Sequence, residues 1–68
     1  MRIKVNGNWQ DLPESPSLQE ILATQGISPE QGGIAVAVNL SVVPRDQWIA
    51  YKLTDGDEIE VVSARQGG

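Results

Sequence analysis

The residues of this chain that could do chemistry lie at its last two positions and in an acidic stretch around residue 57. Gly67 and Gly68 have no Cβ, so their backbone fits narrow slots that are closed to other residues. The group that they present is the α-carboxylate of Gly68, which is ionised at neutral pH and is a poor electrophile. Acyl chemistry at Gly68 therefore requires activation from outside, for example as an acyl-adenylate made with ATP.

The acidic stretch offers a second candidate, since paired carboxylates run acid–base chemistry when burial separates their pKa values. Four carboxylates lie close together along the chain, namely Asp55, Asp57, Glu58 and Glu60. The chain has no His, and the spacing is not that of an EF-hand loop. We interpret these residues as a solvated turn and a strand edge that discourages pairing, with no metal site and no catalytic group.

Glycine pairs and tryptophans give two weaker signals. Gly32-Gly33 precedes a predicted strand, whereas phosphate-binding loops lead from a strand into a helix, so we interpret the pair as a flexible loop. Trp9 and Trp48 could stack a ligand. Because the chain has no Phe, we predict that both tryptophans are structural anchors of the core.

Composition narrows the classes of function. A chain of 68 residues predicts one domain, too small for a deep cleft, so we expect a module handled by larger partners and no enzyme. The net charge of −4 disfavours nucleic-acid binding, and no apolar run is long enough for a membrane span. There is no Cys to act as a nucleophile or to form a persulfide. No signal-peptide pattern is visible, so we expect a cytoplasmic protein.

Hydrophobic periodicity and turn chemistry divide the chain into short elements. The Ser17–Glu20 spacing is that of a helix capping box, and Gly26 fits the position after a helix end. Asn6-Gly7 predicts a tight hairpin. The predicted elements are strands over residues 2–5, 9–12, 34–38, 42–43 and 58–62, a helix over 18–25, and an irregular or 3₁₀ turn over 45–48. The apolar strand 34–38 is expected at the centre of the sheet.

This order predicts an α+β fold, a mixed sheet of four to five strands packed on one helix. One helix cannot cover both faces of such a sheet, so the second face stays open to solvent or to a partner. We expect a β-grasp, or ubiquitin-like, roll over residues 1–63 and a flexible tail over 64–68. Fully extended, that tail reaches ~17 Å, enough for Arg65, Gln66 and Gly67 to thread into the active site of a partner.

A longer motif adds to the glycine pair. Residues 35–48 read A-V-A-V-N-L-S-V-V-P-R-D-Q-W, followed by the turn Asp55-Gly56-Asp57, a hydrophobic strand and Gly67-Gly68. This run resembles the central motif of the ThiS family, the sulfur carriers of thiamine biosynthesis, and the resemblance covers essentially the whole chain. Ser63-Ala64-Arg65-Gln66 is more polar than the corresponding segment of some members.

The resemblance implies a β-grasp fold and a carrier that other enzymes act on. It implies that Gly68 is adenylated by an E1-like adenylyltransferase of the ThiF type using ATP, and then converted to a thiocarboxylate. The sulfur usually originates from a cysteine desulfurase, and a thiazole synthase of the ThiG type consumes it. The chain itself would bind no cofactor. Pro44, Arg45 and Trp48 match the motif and are expected to hold the turn without touching sulfur.

Two alternatives stay open at this point. One is a carrier for another sulfur pathway, such as the molybdopterin-type β-grasp carriers, which are usually longer and lack the V-P-R-x-x-W run. The other is a ubiquitin-like interaction or modifier module that works through surface residues such as Arg2, Lys4 and Val62. For the sulfur carrier we expect an apolar patch on the open face, near the last strand, to dock its partners.

Overall fold

The computed structural model describes residues 1–63, which form a five-stranded sheet, one α-helix and a 3₁₀ turn. Their bounds are β1 Arg2–Val5, β2 Asn8–Asp11, α1 Leu18–Thr24, β3 Ile34–Val38, β4 Ser41–Val42, the 3₁₀ turn Arg45–Gln47 and β5 Glu58–Ser63. The order across the sheet is β2-β1-β5-β3-β4. The predicted elements are confirmed, with ends that differ from the expected ones by at most one residue.

The sheet is mixed: the helical crossover connects β2 to β3, which run in the same direction, and the last strand runs parallel to the first. β5 pairs in parallel with β1 and antiparallel with β3, whereas β1–β2 and β3–β4 are antiparallel hairpins. This is the expected α+β, β-grasp architecture. One detail is wrong: β3 is interior, but β5 occupies the centre. A central strand here need not be apolar on both faces, since only one face is covered by the helix.

The helix begins and ends where its caps predict. The Ser17 hydroxyl accepts a hydrogen bond from the Glu20 amide at 3.2 Å, and the Glu20 carboxylate accepts one from the Ser17 amide at 2.8 Å. The hydrogen bond that the Glu20 carboxylate accepts from the Ser17 amide lowers the pKa of Glu20, and the Ser17 side chain acts in the same direction. After the helix, Gly26 has a φ of 81°, and the amide of Ile27 donates to the Leu22 carbonyl at 2.9 Å.

The core lies between α1 and one face of the sheet. Trp48 is 1% exposed, and its Nε1 donates to the Val43 carbonyl at 3.0 Å, so its one polar group is satisfied. It is the structural anchor that was expected. The apolar side chains around it come from every layer of the domain, namely Ile3, Val5, Leu18, Ile21, Leu22, Val36, Val38, Val43, Leu53 and Ile59.

Both hairpins turn through two residues with positive φ. Asn6 and Gly7 connect β1 to β2 with φ values of 48° and 87°, as their sequence predicts. Asn39 and Leu40 connect β3 to β4 with φ values of 51° and 72°. Both φ signs are those of a type I′ turn, the type whose twist matches that of the flanking strands.

The capping box gives a first testable prediction. Replacing Ser17 by Ala leaves the Glu20 amide without its acceptor and is expected to lower the free energy of unfolding by about 1 kcal/mol. Ser28→Ala, in the exposed loop that follows the helix, is the matched control and is expected to have little effect. Urea unfolding followed by circular dichroism measures both; equal stability of the two variants would contradict the role of the cap.

Candidate functional site

The predicted site residues, Arg65, Gln66, Gly67 and Gly68, lie outside the described residues, as does the predicted tail 64–68. The structure does show where that segment starts. Ser63 is the last residue of β5 and pairs with Ile34, the first residue of β3. The residues that follow therefore start from the central strand of the sheet. The division into a domain 1–63 and a tail 64–68 stays a prediction.

The motif residues before β5 are structural, as expected from the sequence. The Arg45 guanidinium donates to the carbonyls of Pro29 at 2.7 Å, Gln31, and Ile34 at 3.1 Å. It also lies 5.0 Å from the centre of the Trp48 ring. Arg45 thus fastens the loop before β3 to the 3₁₀ turn, and reaches the residue that pairs with Ser63. A lysine has no planar fork with which to bind carbonyls in this way.

The acidic stretch is not one solvated turn, so that interpretation is wrong in two respects. Asp57 is only 8% exposed, and its carboxylate accepts hydrogen bonds from the Thr54 amide, the Thr54 hydroxyl and the Asn39 side chain. Glu58 and Glu60 are exposed but belong to the central strand and not to an edge. Asp57 therefore ties the 54–57 turn to the β3–β4 hairpin.

The open face of the sheet divides into an aromatic part and an apolar part. Trp9 is 48% exposed and lies on this face with Arg2 and Lys4, whose charged groups are 4.7 and 5.6 Å from its ring centre. Its prediction as a core anchor is wrong: strand alternation places Trp9 on the side opposite Ile3 and Val5. The apolar part lies across β3, β4 and β5 and consists of Ala35, Val42 and Val62.

Leu40 extends this apolar part at the end of the β3–β4 hairpin, where it is 88% exposed. The sequence interpretation assigned Leu40 no role. The signal that could have found it is the tight connection Asn39-Leu40-Ser41, which carries a leucine where a type I′ turn prefers glycine.

The described part of the chain shows no sign of a metal site or a membrane-spanning helix. Across residues 1–63 there is no cluster of three or more side chains of the kind that bind metal ions. None of the helices in that range is long and apolar enough to cross a membrane. Gly33 has a φ of 73°, so the glycine pair serves the turn that leads into β3.

These features define a class of protein: a ubiquitin-like β-grasp domain with one helix, one covered sheet face and one open face. Comparison with known proteins then defines the family. A family model described as "ThiS family" matches residues 3–68, so the chain belongs to the ThiS family. It is a sulfur carrier of thiamine biosynthesis.

Individual relatives agree with this assignment. The chain is 31% identical to the sulfur carrier protein ThiS of Escherichia coli (strain K12), over the whole length of both. It is similar to the crystal structure of the thiamine biosynthesis protein ThiS from Geobacter metallireducens, with a TM-score of 0.80 and 27% identity over all of both chains. A solution structure of a thiamine biosynthesis protein from the same organism gives a TM-score of 0.78 and 28% identity, over all of this chain and 88% of the other.

A further relative is longer. The chain is 28% identical to a stretch of the thiazole synthase of Paramagnetospirillum magneticum (strain ATCC 700264 / AMB-1), and the match spans all of this chain but 20% of that protein.

The role of Arg45 gives a second prediction. Replacing Arg45 by Met removes the donors to three carbonyls and is expected to lower the free energy of unfolding by about 1–3 kcal/mol. Lys52→Met removes the same charge from an exposed position and is expected to change it by less than about 0.5 kcal/mol. Chemical denaturation measures both values. If Arg45→Met lowered the free energy of unfolding no more than Lys52→Met does, the carbonyl contacts of Arg45 would not contribute to stability beyond the loss of one positive charge.

Proposed function

We propose that the α-carboxylate of Gly68 is the group that carries sulfur, and that partner enzymes do all the chemistry on it. The observation that carries the proposal is the match over the full length of the E. coli sulfur carrier, which aligns Gly67-Gly68 with the end of that protein. The family match likewise reaches residue 68. The chain has no Cys and no His, so the sequence offers no thiol on which sulfur could ride instead.

The proposed chemistry has two steps. First, a Gly68 carboxylate oxygen attacks the α-phosphorus of ATP in an E1-like adenylyltransferase of the ThiF type, forming an acyl-adenylate and releasing pyrophosphate. Second, the terminal sulfur of a persulfide supplied by a cysteine desulfurase attacks the Gly68 carbonyl carbon, so that AMP leaves and an acyl disulfide forms; a thiol then reduces the S–S bond, becoming a disulfide with the former carrier of the persulfide, and leaves Gly68 as the thiocarboxylate. Activation is needed because the carboxylate itself is a poor electrophile. ATP belongs to the partner, and the chain binds no cofactor of its own.

The role proposed for the terminal residues is access. Gly67 has no side chain to obstruct a narrow channel, and Arg65 and Gln66 would line the entrance of a partner's active site. β5 supports this role, because the segment starts from a strand that is paired on both sides. The domain would then stay outside the partner while Gly68 enters it.

Thiazole synthase is the partner for which the comparisons give support. One relative bears that name and contains a stretch similar to this whole chain, which suits a carrier that works beside the enzyme. We propose that a thiazole synthase of the ThiG type takes the sulfur from the Gly68 thiocarboxylate. The adenylyltransferase and the desulfurase are proposed from the family chemistry alone, and the cytoplasmic location stays a prediction.

Intact-mass spectrometry tests the carrier chemistry. After incubation with the activating enzyme, ATP and a sulfur source, the mass of the chain is expected to rise by the difference between one sulfur and one oxygen atom. Deletion of Gly68 is expected to abolish this gain and leave the melting temperature unchanged. An unmodified wild-type chain, next to a carrier that does gain the mass, would contradict the proposal, as would a mass gain in the deletion variant.

The apolar part of the open face is the proposed docking surface. Val62 is 62% exposed on the central strand, one residue before Ser63, so replacing it by Ser is expected to raise the KM for the activating enzyme by about tenfold. Ile49 is 66% exposed but lies outside the sheet, which makes Ile49→Ser the matched control. Steady-state adenylation kinetics measure both variants. Equal KM values would show that the patch at Val62 is not part of the docking surface.

A further inference from the structure

Leu40 combines two unfavourable properties for a leucine. It is 88% exposed, the largest exposed fraction among the exposed large apolar residues of the part of the chain described here. It also has a φ of 72°, in the left-handed region where a side chain with a Cβ is strained. Neither property contributes to folding. A strained residue that persists is a reason to look for a function at that position.

The other hairpin provides an internal comparison. Asn6-Gly7 and Asn39-Leu40 are both two-residue turns that begin with asparagine, and all four residues have positive φ. The first hairpin has glycine at the second position, the residue that such turns prefer. The second has leucine at that position. The same left-handed turn position is thus occupied by glycine in one hairpin and by leucine in the other, and only the leucine strains the backbone.

The surroundings of Leu40 hold it in place. The Asn39 side chain accepts a hydrogen bond from the Glu58 amide at 3.0 Å and donates one to the buried carboxylate of Asp57 at 2.9 Å. The Asn39 amide donates to the Glu58 carbonyl at 2.8 Å. The hairpin is therefore fastened to β5, and Leu40 projects from a fixed backbone. Because its backbone is already ordered, such a residue loses little conformational entropy when it enters a pocket.

The charge beside Leu40 is negative. Leu40 and Asn39 line a shallow cleft with the exposed carboxylates of Glu58 and Glu60. Within residues 1–63 the only side-chain ion pair joins Arg2 to Asp11, so neither glutamate is neutralised by a salt bridge there. Val42, 72% exposed, lies next along the hairpin. An apolar anchor flanked by two carboxylates is complementary to an apolar pocket with Lys or Arg at its rim.

We propose that Leu40 is the anchor of a docking contact with thiazole synthase, and that it enters an apolar pocket rimmed by basic side chains of that enzyme. The inference rests on the proposed function for the choice of partner. A second copy of this chain fits the site poorly, since the chain has a net charge of −4 and a symmetric contact would place Glu58 and Glu60 opposite their own copies.

The position of Leu40 suits this role. It lies beside Glu58 at the start of β5, whereas Ser63 is at the other end of the same strand. Five residue steps along a strand span ~17 Å. A partner that holds Leu40 is thus displaced from the start of the terminal segment, so one enzyme can grip the hairpin and receive Gly68 at the same time.

The test separates stability from binding. Leu40→Gly is expected to raise Tm by about 4 °C, because it relieves the left-handed strain, and to weaken binding to thiazole synthase by at least about tenfold. Gly7→Leu is the matched control: it introduces the same strain in the other hairpin, so Tm is expected to fall by about 4–8 °C with little change in binding. Leu40→Met keeps an apolar side chain and is expected to retain binding.

Calorimetric titration of the full-length chain into thiazole synthase, at two salt concentrations, gives the binding constants. The Glu58→Gln/Glu60→Gln double variant is expected to bind more weakly and with less dependence on salt, as a basic rim requires. Wild-type affinity in Leu40→Gly would overturn the proposal. The proposal would also be overturned if Leu40→Gly bound thiazole synthase normally but bound the activating enzyme more weakly. It would likewise be overturned if the only change were weaker self-association, measured by ultracentrifugation.

The proposed function and this inference fail in different ways. A wild-type chain that binds thiazole synthase but gains no sulfur contradicts the carrier chemistry at Gly68 and leaves the docking contact standing. A chain that gains sulfur but does not bind thiazole synthase overturns the role of Leu40 and leaves the carrier chemistry standing.

Discussion

The pairing of β5 between β1 and β3 is the constraint on which the rest of the structure depends. It joins the first strand of the chain to the last, and so closes a loop of the 53 residues that lie between Val5 and Ile59. It also provides the backbone groups that fasten both turns, since Asn6 and Asn39 hydrogen-bond to residues of β5. The residues assigned a role in docking lie on this strand, on its neighbour β3, or on the β3–β4 hairpin.

Because there is a single helix, β5 is covered on one face and exposed to solvent on the other. On one side it buries Ile59 against the core, and on the other it leaves Glu58, Glu60 and Val62 in solvent. A chain this short cannot cover a second face, because a small domain buries a small fraction of its surface. The open face is therefore a consequence of size, and its mixture of apolar and acidic side chains is where recognition of a partner can be encoded.

The sequence predicts most of the fold because its signals are local. Ser17, Glu20 and Gly26 mark the helix, and Asn6-Gly7 marks the first hairpin, in each case through contacts within a few residues. The errors concern position in the sheet. Trp9, predicted in the core, lies on the open face, and Asp57, predicted in solvent, is buried and accepts hydrogen bonds from Asn39 and Thr54. Burial depends on residues distant in sequence, which local patterns do not specify.

The candidate functional residues also differ in whether local sequence signals indicate them. The glycine pair Gly67-Gly68 is proposed from the sequence and its family match, and its role stays a prediction. Leu40, in contrast, is recognised only once its φ and its exposure are known together. In a small domain with ~3–5 kcal/mol of net stability, left-handed strain at one residue is a substantial fraction of the total. Such strain is easily removed by a single change to glycine, as Gly7 shows in the same chain. Its retention at Leu40 is explained if the side chain is needed by a partner.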